Sequence, residues 1–449
     1  MARETWTEAH VRRLFWRAGF GATPHEAAKW AKAGKQAAID WLVRGTPGAR
    51  ELKGPRPSAD GRVLDPNNVW GHDALWWLDR MVRTQRPLVE KLTLFWSDHF
   101  ATSDQATPLM LAQNRTLRRG ALGSFRALLG EVTRDPAMQL FLNLTDNDKD
   151  APNENYAREM MELFTLGGGY TEHDVREAAR ALTGWRARWP KNGGLVSVRF
   201  DQDRHDAGVK RILGRSGRFG TDGLLDVVVA HPRHAPFITS KLWSFFVTRP
   251  LHRATAARLE RAYRSSKLRI APVVREILAH PSLYEDLDRP DMVKAPMVLV
   301  AGHLRAAGRG VEQSAWSWLL GQMGQQPFAP PSVAGWDWGP AWLSTDTMRA
   351  RFQAANYLLD DKHGALRVVK GAGHPKDTPS EAVDRALGAL GRPWVSARTR
   401  EALLALAGRW YDDLKPGKPW QVKQLPDRAD MLQRALRHLV LSGPDAQLH

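Results

Sequence analysis

The densest set of ionisable side chains in the sequence lies between residues 152 and 185. A helical projection, at about 100° per residue, gathers polar side chains on one face of residues 154–162 and apolar side chains on the other. The polar face holds Glu154, Asn155, Arg158, Glu159 and Glu162. Carboxylates on a rigid element can act as general acid and base or, with imidazoles from neighbouring segments, bind a divalent metal ion. This stretch is therefore our first candidate for a functional site.

A metal-dependent form of the site would use Glu159 and Glu162, which lie three positions apart and can share one helix face. We assign His99 and His173 as the nitrogen ligands, because hard and borderline divalent ions take oxygen and nitrogen donors. The Glu-x-x-His pair of dinuclear carboxylate sites is absent, so the pattern is not specific. The chemistry that such a metal would support is hydrolysis.

A metal-free form would use Glu159 or Glu162 as general base, flanked by Arg158. The partner acid would be an imidazole, either His99 or His205, which stands with its neighbour Asp206 in a polar turn that follows the hairpin. Both forms describe a hydrolase with an acidic and histidine-containing site.

The same residues also suit a purely structural role. Pairs such as Glu154 with Arg158 would connect a solvated helix face by i,i+4 ion pairs. His99, in the string FWSDHF, suits a helix-end histidine bonded to a backbone carbonyl among aromatic rings. Asp206 suits an Asx-type turn, with Lys210 as an ordinary surface cation. The sequence alone leaves both interpretations open.

The elements that must position these groups are two helices joined by a tight turn. Pro152 and Asn153 suit the lead-in and N-cap of the first helix, and glycines 167–169 can supply the left-handed residue that ends it. Thr171 begins the second helix, and Asp174 three positions later completes a capping box. The pattern predicts a helical hairpin over residues 152–185.

The rest of the chain predicts a mainly α fold, a large compact multi-helix domain with one small β element near residues 195–201. We divide the chain into a main helical domain (1–360), a linker or surface excursion (361–380) and a C-terminal helical appendage that packs on the main domain (381–449). Proline cannot continue a helix and disfavours it at the preceding residue, so apolar helices should end at sharp corners. These corners are predicted at Pro136, Pro232, Pro281 and Pro444.

Composition narrows the function classes. The 449 residues include no cysteine, which excludes disulfides, thiolate metal sites and thiol nucleophiles, and neither a Walker motif nor a Gly-x-Ser-x-Gly elbow is present. The formal charge is +17, which attracts polyanions, but the excess is spread thinly, so we predict no specific nucleic-acid binding. No apolar stretch predicts a signal peptide or a membrane span, and we predict a cytoplasmic protein.

The non-enzymatic alternative rests on 19 tryptophans. Three clusters could form a partner-binding or glycan-stacking surface, although packing in a large helical core explains them equally simply. The clusters are Trp76-Trp77, Trp316/Trp318 and Trp336/Trp338/Trp342.

Six segments resemble a bacterial family known as domain of unknown function 1800 (DUF1800). They are HVRRLFWRAGFGATP (10–24), KLTLFWSDHFATS (91–103), PNENYAREMMELFTLGGGYTEHDVREAARALTGW (152–185), HDAGVKRILG (205–214), ITSKLWSFFV (238–247) and PPSVAGWDWGPAWLSTDTMRARF (330–352).

The resemblance implies no established activity. Members are often encoded beside proteins that resemble the alkaline phosphatase and sulfatase superfamily, which implies a scaffold or maturation role for such a partner. Many members carry export signals, whereas here the first family segment begins about ten residues after Met1, and this departure favours the cytoplasmic prediction.

Overall fold

The computed structural model describes residues 5–45, 57–103, 105–191, 194–359, 371–413 and 419–449, with no description of the side chains of 413 and 419–425. The described residues are mainly α-helical, as predicted. The α-helices are α1 (Glu8–Arg17), α2 (Pro24–Ala33), α3 (Lys35–Arg44), α4 (His72–Arg83), α5 (Pro87–His99), α6 (Thr107–Gly120), α7 (Phe125–Thr133), α8 (Pro136–Phe141), α9 (Asn155–Glu159), α10 (Glu172–Ala181), α11 (Thr221–Ala230), α12 (His234–Phe246), α13 (Arg253–Ser265), α14 (Ile270–Ala279), α15 (Pro296–Ala306), α16 (Ala315–Gln322), α17 (Thr345–Leu359), α18 (Pro379–Ala389), α19 (Ala397–Asp413) and α20 (Pro419–Ser442). Short 3₁₀ turns cover Leu144–Asp146, Gln202–Arg204, Pro281–Leu283, Gly339–Leu343 and Pro444–Gln447.

Three antiparallel hairpins account for the strands of the described residues. They are β1 (Ser58–Ala59) with β2 (Arg62–Val63), β3 (Trp185–Arg188) with β4 (Ser197–Phe200), and β5 (Lys210–Ile212) with β6 (Arg215–Gly217). Strand β4 confirms the predicted β element, and Arg199 lies opposite Arg186 in the register. The other two hairpins have strands of two or three residues, too short to show an alternating pattern.

The predicted proline corners are confirmed. Pro136 begins α8, with Asp135 as a capping residue whose side chain accepts from Met138 N. Helices α11, α14 and α20 end at Ala230, Ala279 and Ser442, each two positions before the predicted proline. The steric restriction on the residue before proline is the physical reason.

The apolar residues form two contiguous clusters. The first lies mainly among α1–α3, α5, α7 and α9–α14, and the second among α4, α6 and α15–α20. Buried residues of α18 and α20, such as Val383 and Leu436, belong to the same cluster as Leu75 of α4 and Leu299 of α15. The division of the chain near residues 361–380 stays a prediction, and residues 360–370 lie outside the described part.

Most of the tryptophans that suggested a partner surface are core residues. Trp77, Trp316, Trp336 and Trp342 are buried, Trp76 and Trp338 are half-buried, and Trp318 is exposed. The indole of Trp338 donates to Asp98 Oδ2 at 2.7 Å, and Trp336 N donates to Asp98 Oδ1 at 2.8 Å. Core packing therefore accounts for most of these side chains.

The second helix of the hairpin has the predicted capping box, whereas the first helix differs from the prediction and has Glu154, not Asn153, at its N-cap. Thr171 and Asp174 make the capping box of α10, and Asn153 Oδ1 accepts from Asn155 N at 2.9 Å. After α9, however, residues Met160–Leu166 continue as a π-helix that ends at Gly167 with φ of 66°. A Cβ at Gly167 would lie 2.7 Å from the ring of Phe237. Because a π turn is wider than an α turn, the simple helical projection does not hold beyond residue 160.

Candidate functional site

The two central carboxylates of the hairpin lie near its surface. Glu159 is half-buried and Glu162 is exposed, and Tyr170 Oη donates to Glu162 Oε2 at 3.1 Å. Partial burial, followed by the neighbouring charge of Glu162, raises the pKa of Glu159, and Arg158 opposes this shift. A carboxyl with a raised pKa beside a second carboxylate is a feature of acid–base sites, although structural networks also produce it.

Arg158 is held in an ion-pair network. Its guanidinium donates to Glu154 at 3.0 Å and to both oxygens of Glu172 at 2.8 and 2.7 Å. The hydrogen bonds to Glu172 are the largest cause of its raised pKa. On this side of the hairpin, the polar face therefore carries the ion pairs that the structural interpretation predicted.

His99 lies away from these carboxylates, in the aromatic core. It is 3% exposed, and its ring contacts those of Phe95, Phe100, Phe125 and Phe164. The Nε2 atom of His99 donates to the carbonyl oxygen of Phe164 at 3.0 Å. Burial lowers the pKa of His99, and the charge of Lys241 lowers it further. These contacts agree with the structural interpretation of His99, in which a neutral histidine at a helix end is bonded to a backbone carbonyl.

His99 belongs to a set of side chains that satisfy the carbonyls at the end of the π-helix. Lys241 Nζ donates to Leu163 O at 3.3 Å and lies 3.3 Å from His99 Nδ1. His234 Nδ1 donates to Thr165 O at 3.1 Å. Three successive carbonyls, of residues 163–165, thus bind side chains from α5 and α12. Carbonyls at a helix end need such partners when they are buried.

His205 and Asp206 lie at the other end of α10, in a turn fixed by hydrogen bonds. His205 Nδ1 is 3.0 Å from Thr183 O, and Arg180 Nε donates to Asp206 Oδ2 at 2.7 Å. Gly208 N donates to Asp206 Oδ1 at 2.8 Å, which is the Asx turn of the structural interpretation.

Lys210 is not the surface cation that this interpretation predicted. It is 1% exposed, and its ammonium donates to the carbonyls of Asp206 and Gly208. Burial lowers its pKa, and the charge of Asp206 opposes that shift. The sequence could not show this burial because β5, which carries Lys210, packs on α10 only in the folded chain.

The four candidate metal ligands do not form a cluster. Within the described ranges, no group of three or more His, Asp or Glu side chains could hold a metal ion. His99 is bonded to a backbone carbonyl in the core, whereas His173 and Glu162 are exposed. The structure therefore does not bring Glu159, Glu162, His99 and His173 together, because His99 packs among aromatic rings in the core.

A cavity that the sequence did not predict lies between α4, α6 and α14. Its volume is about 1070 Å³, slightly above the range of about 300–1000 Å³ that is common for small-molecule sites. Eight arginines and two glutamates line it, together with apolar and small residues. The arginines are Arg44, Arg80, Arg86, Arg115, Arg118, Arg119, Arg269 and Arg275. We call this space the arginine cavity.

One side of the arginine cavity is built around a buried carboxylate. Glu90 of α5 is 2% exposed and binds Arg118 through two hydrogen bonds of 2.7 and 2.9 Å. Arg80 lies 3.5 Å from the same carboxylate. The guanidinium carbons of Arg80, Arg115 and Arg118 lie 5.2, 5.8 and 5.5 Å from the ring centre of Trp76. These contacts hold guanidinium groups in fixed positions.

Four arginines of the lining, including Arg115 beside Trp76, form a more exposed rim. Arg44, Arg86, Arg115 and Arg269 are exposed and have no carboxylate partner among the described residues. The second lining glutamate, Glu276, already pairs with Arg258 outside the cavity at 3.2 Å. Arg119 pairs with Glu131 and Arg275 with Asp40, both carboxylates from outside the lining, so the positive excess of the lining comes mainly from the four exposed arginines.

One known protein family matches nearly the whole chain. The sequence profile of a family described as "Protein of unknown function (DUF1800)" matches residues 13–448. The chain belongs to the DUF1800 family. Comparisons with curated proteins and with solved structures gave no match. In the described part of this DUF1800 protein, no helix is long and apolar enough to cross a membrane.

Several segments that carry the DUF1800 resemblance meet at the end of the π-helix. His99 comes from FWSDHF, Lys241 from ITSKLWSFFV, and the carbonyls from the hairpin segment. Asp98, next to His99, binds the tryptophan-rich loop of a further segment. In this chain the resemblance therefore coincides with a structural junction.

The arginine cavity of this DUF1800 protein had a faint signal in the sequence. Arg115, Arg118 and Arg119 share a helix face, as do Trp76 and Arg80. Nothing in the sequence showed that the folded chain brings Trp76 of α4 close to Arg115 and Arg118 of α6.

Proposed function

We propose that this protein binds a multiply charged anionic ligand in the arginine cavity. The observation that carries the proposal is a cavity of about 1070 Å³ lined by eight arginines, four of which have no carboxylate partner among the described residues. Guanidinium groups bind carboxylate, sulfate and phosphate through paired hydrogen bonds, and they keep their charge at all physiological pH values.

The fixed geometry of the lining favours such a ligand. Glu90 and Asn114 orient Arg118, whose Nη2 donates to Asn114 Oδ1 at 2.7 Å, and Trp76 packs against three guanidinium groups. A preoriented guanidinium loses less conformational entropy on binding than a free one. Hydrogen bonds to charged groups contribute about 1.5–3 kcal/mol each.

General acid–base hydrolysis at the hairpin is the second candidate. It is favoured by the raised pKa of Glu159 and by the hydrogen bond from Tyr170 to Glu162. Its active groups would be Glu159, Glu162 and Tyr170, because Arg158 is already paired and His205 belongs to a turn at the far end of α10. The metal-dependent form and the role as maturation partner of a phosphatase-like protein stay predictions.

The test of the first candidate is isothermal titration calorimetry with inorganic tripolyphosphate at constant ionic strength. We expect saturable binding to the wild type and a loss of at least about tenfold in Kd for Arg115→Ala/Arg269→Ala, because each residue contributes one charge-assisted contact. The matched control is Arg215→Ala/Arg218→Ala, which removes two exposed arginines that do not line the cavity.

The control should bind like the wild type. Equal losses in both double variants would mean that only net charge matters, and that result, or no binding to the wild type, would contradict the proposal. Thermal unfolding of each variant confirms that the substitutions leave the fold intact.

A further inference from the structure

A second cavity, of about 570 Å³, lies at the opposite ends of α4 and α6 from the arginine cavity. Asp73 in the first turn of α4 and Thr107 and Met110 of α6 line it, together with residues 66–71 and 326–329 and with Gln105. We infer that this cavity, which we call the Trp70 cavity, binds a saccharide. The inference is independent of the proposed anion site.

The aromatic part of the site is Trp70. Its side chain is 81% exposed, the highest exposure among the large apolar side chains of the described residues. The next residue, Gly71, has φ of 77° and packs against Ser317, and the neighbouring Trp318 is 44% exposed. An exposed indole at the edge of a cavity offers a flat apolar face on which the C–H groups of a pyranose ring can stack.

The polar part of the site is rich in groups that recognise hydroxyls. Asn67, Gln105 and Gln326 each carry an amide that can donate and accept, and Asp73 adds a carboxyl acceptor. The side-chain amides of Asn67 and Gln326 make no hydrogen bond to other described residues. Partial burial raises the pKa of Asp73. Sugar hydroxyls both donate and accept, so this mixed lining fits them.

The lining of the Trp70 cavity differs in charge from that of the arginine cavity, so the two cavities should bind different classes of ligand. No lysine or arginine is among the described residues that line the Trp70 cavity, and Asp73 is its one acidic side chain in the same range. An anion would meet no positive partner here, whereas a neutral ring with hydroxyl groups would leave no charge uncompensated.

The two cavities share their helices. On α4, Asp73 lines the Trp70 cavity and Arg80 lines the arginine cavity, a rise of about 10 Å along the helix. On α6, the corresponding residues are Met110 and Arg118. If both sites act, an oligosaccharide bearing carboxylate or sulfate groups can contact both, with its neutral rings at Trp70.

The experiment is a glycan array of neutral and acidic oligosaccharides, followed by calorimetric titration of the strongest hits. We expect at least one saccharide to bind and Trp70→Ala to weaken it at least tenfold with an unchanged melting temperature, since the side chain is exposed. The matched control is Trp189→Ala, which removes a 70% exposed tryptophan that does not line the cavity.

Three results would overturn the inference. They are an array without a bound glycan, saccharide binding that survives Trp70→Ala, and a single-stranded oligonucleotide that binds more tightly than any saccharide and needs Trp70. The double variant Arg115→Ala/Arg269→Ala separates the two proposals, because it should weaken tripolyphosphate binding at least about tenfold and leave the affinity for neutral saccharides unchanged.

Discussion

The substitution Glu90→Gln tests how the arginine cavity is held together. Glu90 is the buried counter-charge of Arg118, at 2.7 and 2.9 Å, and of Arg80, at 3.5 Å. Removal of one partner from a buried ion pair costs about 3–5 kcal/mol of the free energy of unfolding. Glutamine keeps the volume and one acceptor oxygen, and Asn114 still accepts from Arg118. We therefore expect Glu90→Gln to lower the free energy of unfolding by about 3 kcal/mol, at the lower end of that range.

A bound anion should reverse part of this loss. In the variant, Arg80 and Arg118 line the cavity without their carboxylate, so a polyphosphate can pair with both. At a tripolyphosphate concentration of about 100 times Kd, binding stabilises the native state by about 2.7 kcal/mol. We expect the variant to bind at least about tenfold more tightly than the wild type, which adds about 1.4 kcal/mol at the same concentration.

The assay is equilibrium urea unfolding of both proteins, with and without tripolyphosphate at constant ionic strength. Glu276→Gln is the control, because this lining glutamate is partly exposed and its pair with Arg258 should contribute less than about 1 kcal/mol. The reasoning would be refuted if Glu90→Gln lost less than about 1 kcal/mol, or if tripolyphosphate stabilised it no more than the wild type.

Three further predictions concern the hairpin and its partners. The pKa of His234 is lowered to about 4 by burial, so the native state prefers the neutral ring. The neutral ring should contribute about 3 kcal/mol to the free energy of unfolding above pH 6.5, and this contribution should be lost as the pH falls towards 4. The free energy of unfolding of His234→Asn, measured with urea across this pH range, should lack that decrease. Lys241→Met removes a donor to Leu163 O and should cost about 1–3 kcal/mol in urea unfolding without changing tripolyphosphate affinity, whereas a change in affinity alone would contradict the capping role. Glu159→Gln/Glu162→Gln should leave the melting temperature and the metal content, measured by inductively coupled plasma mass spectrometry, at the wild-type values; loss of stoichiometric metal would restore the metal hypothesis.

Local signals predicted the boundaries of the hairpin. The Thr171–Asp174 capping box and the left-handed glycine at 167 follow from residue type within a few positions, and both formed as predicted. The π-helix that ends at Gly167 was not predictable, because its last carbonyls bind His99, Lys241 and His234 from distant helices. His99, whose residue type suggested a metal ligand, is thus bonded to a backbone carbonyl. This role depends on tertiary contacts that the sequence does not show.

The arginine cavity shows the opposite relation between sequence and fold. Its arginines come from α3, α4 and α6, from the residue before α5, and from α14 and the residue before it, so no window of the sequence contains all of them. A charge excess that is spread thinly along the chain becomes concentrated when these elements assemble. The sequence therefore indicated the sign of the ligand's charge but not the place where it binds.

The geometry around Trp76 explains why such a concentration favours a ligand. Three guanidinium carbons lie between 5.2 and 5.8 Å from its ring centre, so no two are more than about 12 Å apart. Unit charges at that separation repel by about 0.3 kcal/mol in water and about 1.4 kcal/mol at an effective dielectric constant of 20. Glu90 offsets part of this repulsion from one side only, since it contacts Arg80 and Arg118 but pairs with no rim arginine. An anion in the cavity would convert the remaining repulsion into attraction, and the same charges that reduce stability would then supply binding energy.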